Sequence, residues 1–198
     1  MTQLQVEQRD HAVVLRLVSE DGTNRLTRSC VLTLTASIRE LARAPRPLII
    51  TGNQRFFSAG ADLNEITALD GPAAFAFAKM GQDLMEALHR FPAPVTAAVS
   101  GYCMGGGLDL ALACDVRLAS PHAVFGHRGA ALGLMTGWGG TQRLPRLIGK
   151  ARALEMFIAA EKIHAKQALE WGLVDAVVED PVAEALKRLE TQAPSPSR

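Results

Sequence analysis

The sequence has few cysteines, and their pattern fits neither a metal site nor a disulfide framework. Cys30, Cys103 and Cys114 are widely spaced, and no CxxC occurs. A structural zinc site needs closely paired thiolates, and a disulfide scaffold needs an even set of cysteines in a short secreted chain. We therefore expect reduced thiols in a cytoplasmic protein, and no metal site.

An excess of charge and long apolar runs are also lacking. The chain carries 21 Lys and Arg against 20 Asp and Glu, so the net charge is +1 and no nucleic-acid-binding face is expected. The most apolar stretch, residues 95–114, contains four glycines and Asp109, which argues against a membrane-spanning helix. The polar residues 1–10 lack the charged and apolar regions of a signal peptide.

The 198 residues suffice for one domain with a substantial core. We predict a single domain over residues 1–198, with its core at about 3–178 and a short helix and disordered tail at 181–198. Hydrophobic periodicity predicts a hairpin turning near Asp10 and His11. Further strands are predicted at 48–51, 95–99, 116–119 and 173–178, and helices at 27–44, 70–91, 108–114, 139–147, 151–159, 165–171 and from 181. This alternation indicates an α/β domain of repeated β-β-α units.

Two turns rich in small residues follow predicted strands. The first covers residues 56–63 and reads FFSAGADL, and the second covers residues 101–109 and reads GYCMGGGLD. Sheets of α/β proteins place ligands at such strand ends, where small residues let a ligand approach backbone N–H groups. A helix starting near Gly106 would aim its free N–H groups at that ligand. Taken alone, the triple glycine is explained equally well by a tight crossing of two backbone segments.

Together with flanking segments, the turns make the chain similar to a known family. The motifs are Ile50-Thr51-Gly52, Ser58-Ala59-Gly60-Ala61-Asp62-Leu63, Ala97-Ala98-Val99-Ser100-Gly101, Gly105-Gly106-Gly107, Ala113-Cys114-Asp115, Gly139-Gly140-Thr141-Gln142-Arg143-Leu144 and Gly172-Leu173-Val174. In this order and spacing, over residues 13–178, they resemble the enoyl-CoA hydratase/isomerase family, which has the crotonase fold. The resemblance implies a crotonase-like domain whose C-terminal helical region is shortened.

The resemblance also implies a ligand and a set of binding groups. Family members bind an acyl-CoA thioester and stabilise its enolate with two backbone N–H groups, which would belong to Ala61 and Gly106 here. Coenzyme A enters as part of the substrate, so no other cofactor is implied. Residues 59–63 would line the adenine pocket, with Asp62 either a neighbour of the coenzyme or a cap of the next turn. A homo-oligomer, a trimer or a dimer of trimers, is expected, with no nucleic-acid or membrane partner. The coenzyme-binding residues implied are Ala59, Gly60, Asp62 and Leu63.

Asp109 is the candidate catalytic residue, because an unpaired carboxylate in an apolar run is costly to bury. Hydratases of the family have a glutamate at the matching position, and dienoyl-CoA isomerases have an aspartate. The alternative is a helix N-terminal residue stabilised by the helix dipole.

The chain departs from the family pattern at the other carboxylate positions. The second glutamate of hydratases corresponds to Gly129, and the aspartate of dienoyl-CoA isomerases corresponds to Gly137. His127 is a candidate acid/base that could replace the missing group, although a polar residue at a strand edge is the favoured interpretation. Trp138 and Tyr102 either shape the acyl pocket or pack in the core.

Three functions remain open on this basis. The first is a hydratase or isomerase that uses Asp109, and the second is an acyl-CoA-binding protein that has lost hydratase activity. The third is a structural module that does not bind coenzyme A. The two thioester-binding turns disfavour this third function, while Gly129 and Gly137 favour the second.

Overall fold

The computed structural model describes residues 2–192, which form twelve strands and eight α-helices. In chain order the strands are β1 (Thr2–Gln8), β2 (Val13–Ser19), β3 (Arg25–Leu26), β4 (Leu48–Thr51), β5 (Phe56–Ser58), β6 (Gly60–Ala61), β7 (Val95–Val99), β8 (Tyr102–Met104), β9 (Val116–Ala119), β10 (Val124–Gly126), β11 (Ile163–His164) and β12 (Ala176–Val177). The helices are α1 (Arg28–Leu41), α2 (Leu63–Thr67), α3 (Gly71–His89), α4 (Gly106–Leu112), α5 (Gly140–Ile148), α6 (Lys150–Ala159), α7 (Ala165–Glu170) and α8 (Pro181–Gln192). The predicted tail falls on residues beyond 192 and lies outside the described part.

The main sheet has six strands in the order β1-β2-β4-β7-β9-β12. The predicted hairpin β1–β2 is antiparallel, and the other neighbours run parallel. Successive residues of a strand face opposite sides of a sheet. Leu15 and Leu17 therefore enter the large core, whereas Val14 packs on the other side, beneath α8. Strand β2 thus has apolar residues on both faces of the sheet, and both faces are covered.

A second sheet has four strands and includes part of each small-residue turn, because β5 and β8 belong to it. Its order is β11-β10-β8-β5, with β8 parallel to both β5 and β10. Strands β4, β7 and β9 of the main sheet are each followed by one strand of this sheet and, further on, by an α-helix. Strand β6 comes before α2, and a 3-10 turn at residues 129–132 comes before α5. The predicted α/β fold of repeated β-β-α units is therefore confirmed. A two-stranded pairing of β3 with β6 aligns Leu26 with Ala61.

Predicted helix starts coincide with observed caps. Thr27 Oγ1 accepts a hydrogen bond from Cys30 N, and Asp70 Oδ1 accepts one from Ala73 N at 2.8 Å. Asp180 Oδ1 accepts from the backbone N–H groups of residues 182 and 183 at the start of α8. Such side-chain oxygens satisfy N–H groups that have no partner within the helix. None of the helices within residues 2–192 is long and apolar enough to cross a membrane.

One predicted strand and one predicted helix have different bounds in the structure, and one helix was not predicted. The strand predicted at 173–178 is reduced to Ala176–Val177, because Leu173 and Val174 donate their N–H groups to Ala168 O and complete the end of α7. The helix predicted at 108–114 begins two residues earlier, at Gly106. Helix α2 was missed since it is one turn long and buries none of its residues, which leaves no periodic pattern to detect.

Candidate active site

The two small-residue turns meet at a cavity of about 680 Å³. Its walls come from β6, α2, α3 and α4 and from the segment 127–138, which follows β10. Seven of the eight predicted site residues line it, namely Ala59, Gly60, Ala61, Leu63, Gly106, Asp109 and His127. The tertiary structure thus gathers residues from three separate parts of the chain at one cavity.

The backbones of the two turns approach each other closely at the cavity. Gly60 has φ +94°, and a Cβ there would lie 2.6 Å from Met104 O and 3.1 Å from Gly106 N. A Cβ on Gly106 would lie 3.3 Å from Ala61 N. Glycine is needed at position 60 both for its positive φ and for this approach. Gly106 is the first residue of α4, so its N–H has no acceptor within the helix and is available to a ligand.

Asp62 differs from its neighbours, since it does not line the cavity. Its Oδ1 accepts hydrogen bonds from Asn64 N at 2.8 Å and Glu65 N at 3.4 Å, and so caps α2. Its Oδ2 also lies 3.9 Å from the guanidinium of Arg25. Of the two alternatives for Asp62, the structure displays the cap, and contact with a coenzyme stays a prediction.

Asp109 lies on the floor of the cavity, where it is 1% exposed. Its N–H donates to Gly105 O at 3.0 Å, within the first turn of α4. Its Oδ2 accepts a hydrogen bond from the hydroxyl of Thr136. Its Oδ1 has no hydrogen-bond partner among the described residues, although the carboxylate is buried. Because an unsatisfied buried carboxylate oxygen is costly, this oxygen is a candidate for contact with a substrate.

His127 lies beside this oxygen, and the strand-edge interpretation of it was wrong. Strand β10 ends at Gly126 and pairs on both sides, with β8 and β11, so the residue after it is enclosed. The histidine is 4% exposed, and its ring packs against Phe157 with centroids 5.2 Å apart. Nε2 lies 3.2 Å from Asp109 Oδ1. The contact is short, but it is not aligned as a hydrogen bond, and Nε2 has no other partner within the described residues.

Two further residues hold Asp109, and sequence reasoning did not single out either of them. Thr136 lies in the loop before α5, where its hydroxyl meets Asp109 and also accepts from Trp138 N at 3.4 Å. Gly140 starts α5, and a Cβ there would lie well inside van der Waals contact of Asp109 Oδ1. No signal in the sequence marks Thr136, whereas Gly140 belongs to a motif that was quoted without a role.

Gly129 and Gly137, which stand at the positions where carboxylates were expected, also line the cavity. A Cβ on Gly129 would lie 2.7 Å from Leu134 O, because residues 129–132 form a tight 3-10 turn. A Cβ on Gly137 would lie 3.4 Å from Ala78 Cβ, which is an ordinary contact. Asp109 is the one carboxylate among the lining residues within the described part of the chain. No group of three His, Cys, Asp or Glu side chains that could hold a metal occurs within residues 2–192.

Trp138 forms the wall between the cavity and the core. It is buried, its Nε1 donates to Phe77 O at 3.2 Å, and the two rings pack with centroids 5.3 Å apart. The indole also covers Gly106, where a Cβ would lie 2.6 Å from the ring. Tyr102 lines the opposite part of the cavity, beside Phe56. Both alternatives for Trp138 therefore hold at once, since it packs in the core and shapes the cavity.

Comparison with known proteins assigns the chain to a family. A family model described as enoyl-CoA hydratase/isomerase matches residues 8–197. The chain belongs to the enoyl-CoA hydratase/isomerase family. A relative from this family, named "Probable enoyl-CoA hydratase" in Bacillus subtilis (strain 168), is 45% identical over 149 residues, which are 75% of this chain and 57% of that protein. The chain therefore spans little more than half the length of that relative.

Solved structures agree with the family and confirm the crotonase fold. Pseudomonas aeruginosa DspI is 37% identical with a TM-score of 0.90, and the match covers 96% of this chain and 76% of that one. The enoyl-CoA hydratase from Bacillus anthracis is 34% identical with a TM-score of 0.89, covering 95% of this chain and 75% of that one. The family and fold expected from the motifs are both confirmed.

Proposed function

We propose that the cavity binds an acyl-CoA thioester and stabilises its enolate, with Asp109 as the acid/base. The observation that supports this most directly is the meeting of Ala61 N with Gly106 at the cavity, one helical turn before the buried Asp109. The two N–H groups would hold the thioester oxygen. Donors fixed by the backbone need no reorganisation when charge develops on that oxygen, and one such donor is typically worth ~10²–10³ in rate.

The charges around the cavity suit an anionic ligand. Two exposed cations, Arg128 and Lys162, lie on its walls, while its carboxylate, Asp109, is buried at the floor. The Lys162 ammonium lies 5.1 Å from the ring centre of Tyr102. An acyl-CoA could place its phosphates near these cations and its acyl part against the apolar side chains that line the cavity. In this arrangement Ala59, Gly60 and Leu63 contact the coenzyme, and Asp62 holds α2 in place beside it.

The reaction that needs least machinery is proton transfer at the α-carbon. Asp109 removes the α-proton, the C–H electrons move into the thioester, and the resulting enolate oxygen is held by the two N–H groups. One positioned base and the oxyanion hole suffice for this step. The missing carboxylates at Gly129 and Gly137 favour a second candidate, a member that binds acyl-CoA without turnover.

Deuterium exchange separates these two candidates. Butyryl-CoA is incubated with the protein in D₂O, and its α-deuterium content is followed by mass spectrometry, with binding measured by calorimetry. We expect exchange by the parent, a loss of ~10²–10⁴-fold in Asp109→Asn, and nearly unchanged affinity. The control is Asp83→Asn on α3, where the side chain is 41% exposed and lies outside the cavity. Binding without exchange would favour the non-catalytic candidate, and failure to bind would overturn the proposal.

We also propose that the protein is a homotrimer or a dimer of trimers in the cytoplasm. Membership of the family supports the assembly, and buried, unpaired thiols agree with a reducing compartment. Light scattering over a wide concentration range tests the assembly. A monomer at every concentration would exclude it.

A further inference from the structure

The geometry around Asp109 points to a second proton-transfer group, and we infer that this group is His127. The inference rests on the proposed acyl-CoA function and extends it from α-proton exchange to the addition of water across an enoyl double bond. Hydration needs a base for the water and an acid for the α-carbon. Asp109 acts at the α-carbon, so the base for the water is still needed, and neither glycine that replaces the family's other carboxylates can supply it. His127 is the titratable side chain that reaches the same floor of the cavity.

Asp109 and His127 each have one buried polar atom without a hydrogen-bond partner among the described residues. Asp109 Oδ1 and His127 Nε2 are 3.2 Å apart, both are buried, and neither has a hydrogen-bond partner among the described residues. Since the direct contact is not aligned as a hydrogen bond, both atoms keep capacity for a third group. A water molecule at the cavity floor could bridge them, and such a bridge is nearly as favourable as a direct bond. Buried polar atoms normally have a protein group or an ordered water as partner, so these two atoms are a place where a water or a substrate atom would bind.

The surroundings fix both groups in place. The hydroxyl of Thr136 donates a hydrogen bond to Asp109 Oδ2, so Oδ1 is the oxygen that faces the histidine. Phe157 packs against the imidazole and limits its rotation. Gly140 packs against both groups, because a Cβ there would meet Asp109 Oδ1 and would also lie 3.0 Å from His127 Nε2. The two reactive atoms are therefore held at a fixed separation by residues from α5, α6 and the loop between β10 and α5.

The step balances without any further reactant. Water forms a bond from its oxygen to the β-carbon, and its proton passes to Nε2 of His127. The π electrons of the double bond move toward the thioester, whose oxygen is held by Ala61 and Gly106. Asp109, protonated at the start of this reaction, gives its proton to the α-carbon and then takes up the proton held by His127. One hydrogen and one hydroxyl are added to the substrate, and both side chains return to their starting states.

The test compares hydration of crotonyl-CoA with α-deuterium exchange into butyryl-CoA for the parent and His127→Gln. Removal of the base for the water should lower hydration by ~10²–10⁴-fold, while α-exchange by Asp109 and thioester affinity stay within about tenfold of the parent. The matched control is His122→Gln, an exposed histidine in the turn before β10, which should keep both rates.

The outcomes are distinguishable. Hydration by His127→Gln within tenfold of the parent overturns the inference. A parallel loss of hydration and exchange in folded His127→Gln also overturns it, because His127 would then act only by positioning Asp109. If the variant does not fold, the parent decides: hydration more than ~10²-fold slower than by the Bacillus anthracis hydratase, assayed alongside, excludes a second proton-transfer group. Failure of binding and exchange by the parent would instead remove the proposed function itself.

Discussion

The α-carbon of Gly140 lies directly against the carboxylate of Asp109. A Cβ at position 140 would fall well inside van der Waals contact of Asp109 Oδ1 and 3.0 Å from His127 Nε2. Since only a hydrogen atom fits in this gap, the first residue of α5 sets where the carboxylate of α4 can lie. Packing between two helices, and not only hydrogen bonding, therefore positions the candidate catalytic group.

Gly140→Ala should displace Asp109 and lower activity without unfolding the protein. Alanine is a favourable residue within a helix, so α5 should still form. A misplacement of about 1 Å can cost on the order of 10² in rate, and we expect a loss of that size in α-deuterium exchange. Gly71→Ala is the matched control, because Gly71 also begins a helix and its Cβ would meet nothing within 4 Å. Exchange by Gly140→Ala at the parent rate would contradict the packing argument.

Gly129→Ala and Gly137→Ala should differ in stability. The Cβ at 129 would lie 2.7 Å from Leu134 O, and Leu134 N donates to Gly129 O at 2.8 Å, so the turn cannot easily give way. Forced overpacking typically costs ~1–3 kcal/mol of unfolding free energy. At Gly137 the new Cβ makes an ordinary contact with Ala78, and we expect a change within about 0.5 kcal/mol. Urea unfolding measures both, and equal stabilities would be inconsistent with the turn geometry.

The three thiols should be unreactive in the folded protein. Burial raises the pKa of Cys30 to about 11, that of Cys114 to about 12, and that of Cys103 well above its usual range. At pH 8 a thiol with a pKa of about 11 is ionised to only ~0.1%, and the thiolate is the reactive form. A disulfide reagent should therefore label none of them in buffer and all three in guanidinium chloride. Rapid labelling under native conditions would show that the site region opens locally.

Stability should fall on acidification partly because of Asp21. The N–H of Thr23, followed by the hydroxyls of Ser19 and Thr23, lowers the pKa of this carboxyl to about 2. A group whose pKa is lower in the folded state contributes stability above its ordinary pKa of ~3.9, and this contribution is lost as the pH falls toward about 2. Asp21→Asn should thus show a smaller drop in urea midpoint between pH 5 and pH 2.5 than the parent. An identical drop would assign the acid sensitivity to other carboxyls.

Much of the fold could be predicted from local pattern. The hairpin β1–β2, helices α1 and α3 and the buried strands β4 and β7 follow from hydrophobic periodicity and short apolar runs. Short elements could not be predicted in this way. Strands β5, β6 and β11 have only two or three residues each, and they form because neighbouring backbone offers partners, not because of their own sequences.

The sequence by itself determined the family and the residues that meet at the cavity. Backbone groups at Ala61 and Gly106 and the carboxylate of Asp109 are encoded by short motifs, in which Gly60 and Gly106 leave no room for a Cβ. Only the tertiary structure decided the surroundings of Asp109. Thr136, His127 and Gly140 reach it from parts of the chain 18 or more residues away, and no local pattern records such contacts. Contacts between distant residues depend on how helices and sheets pack, and that packing is a property of the whole chain.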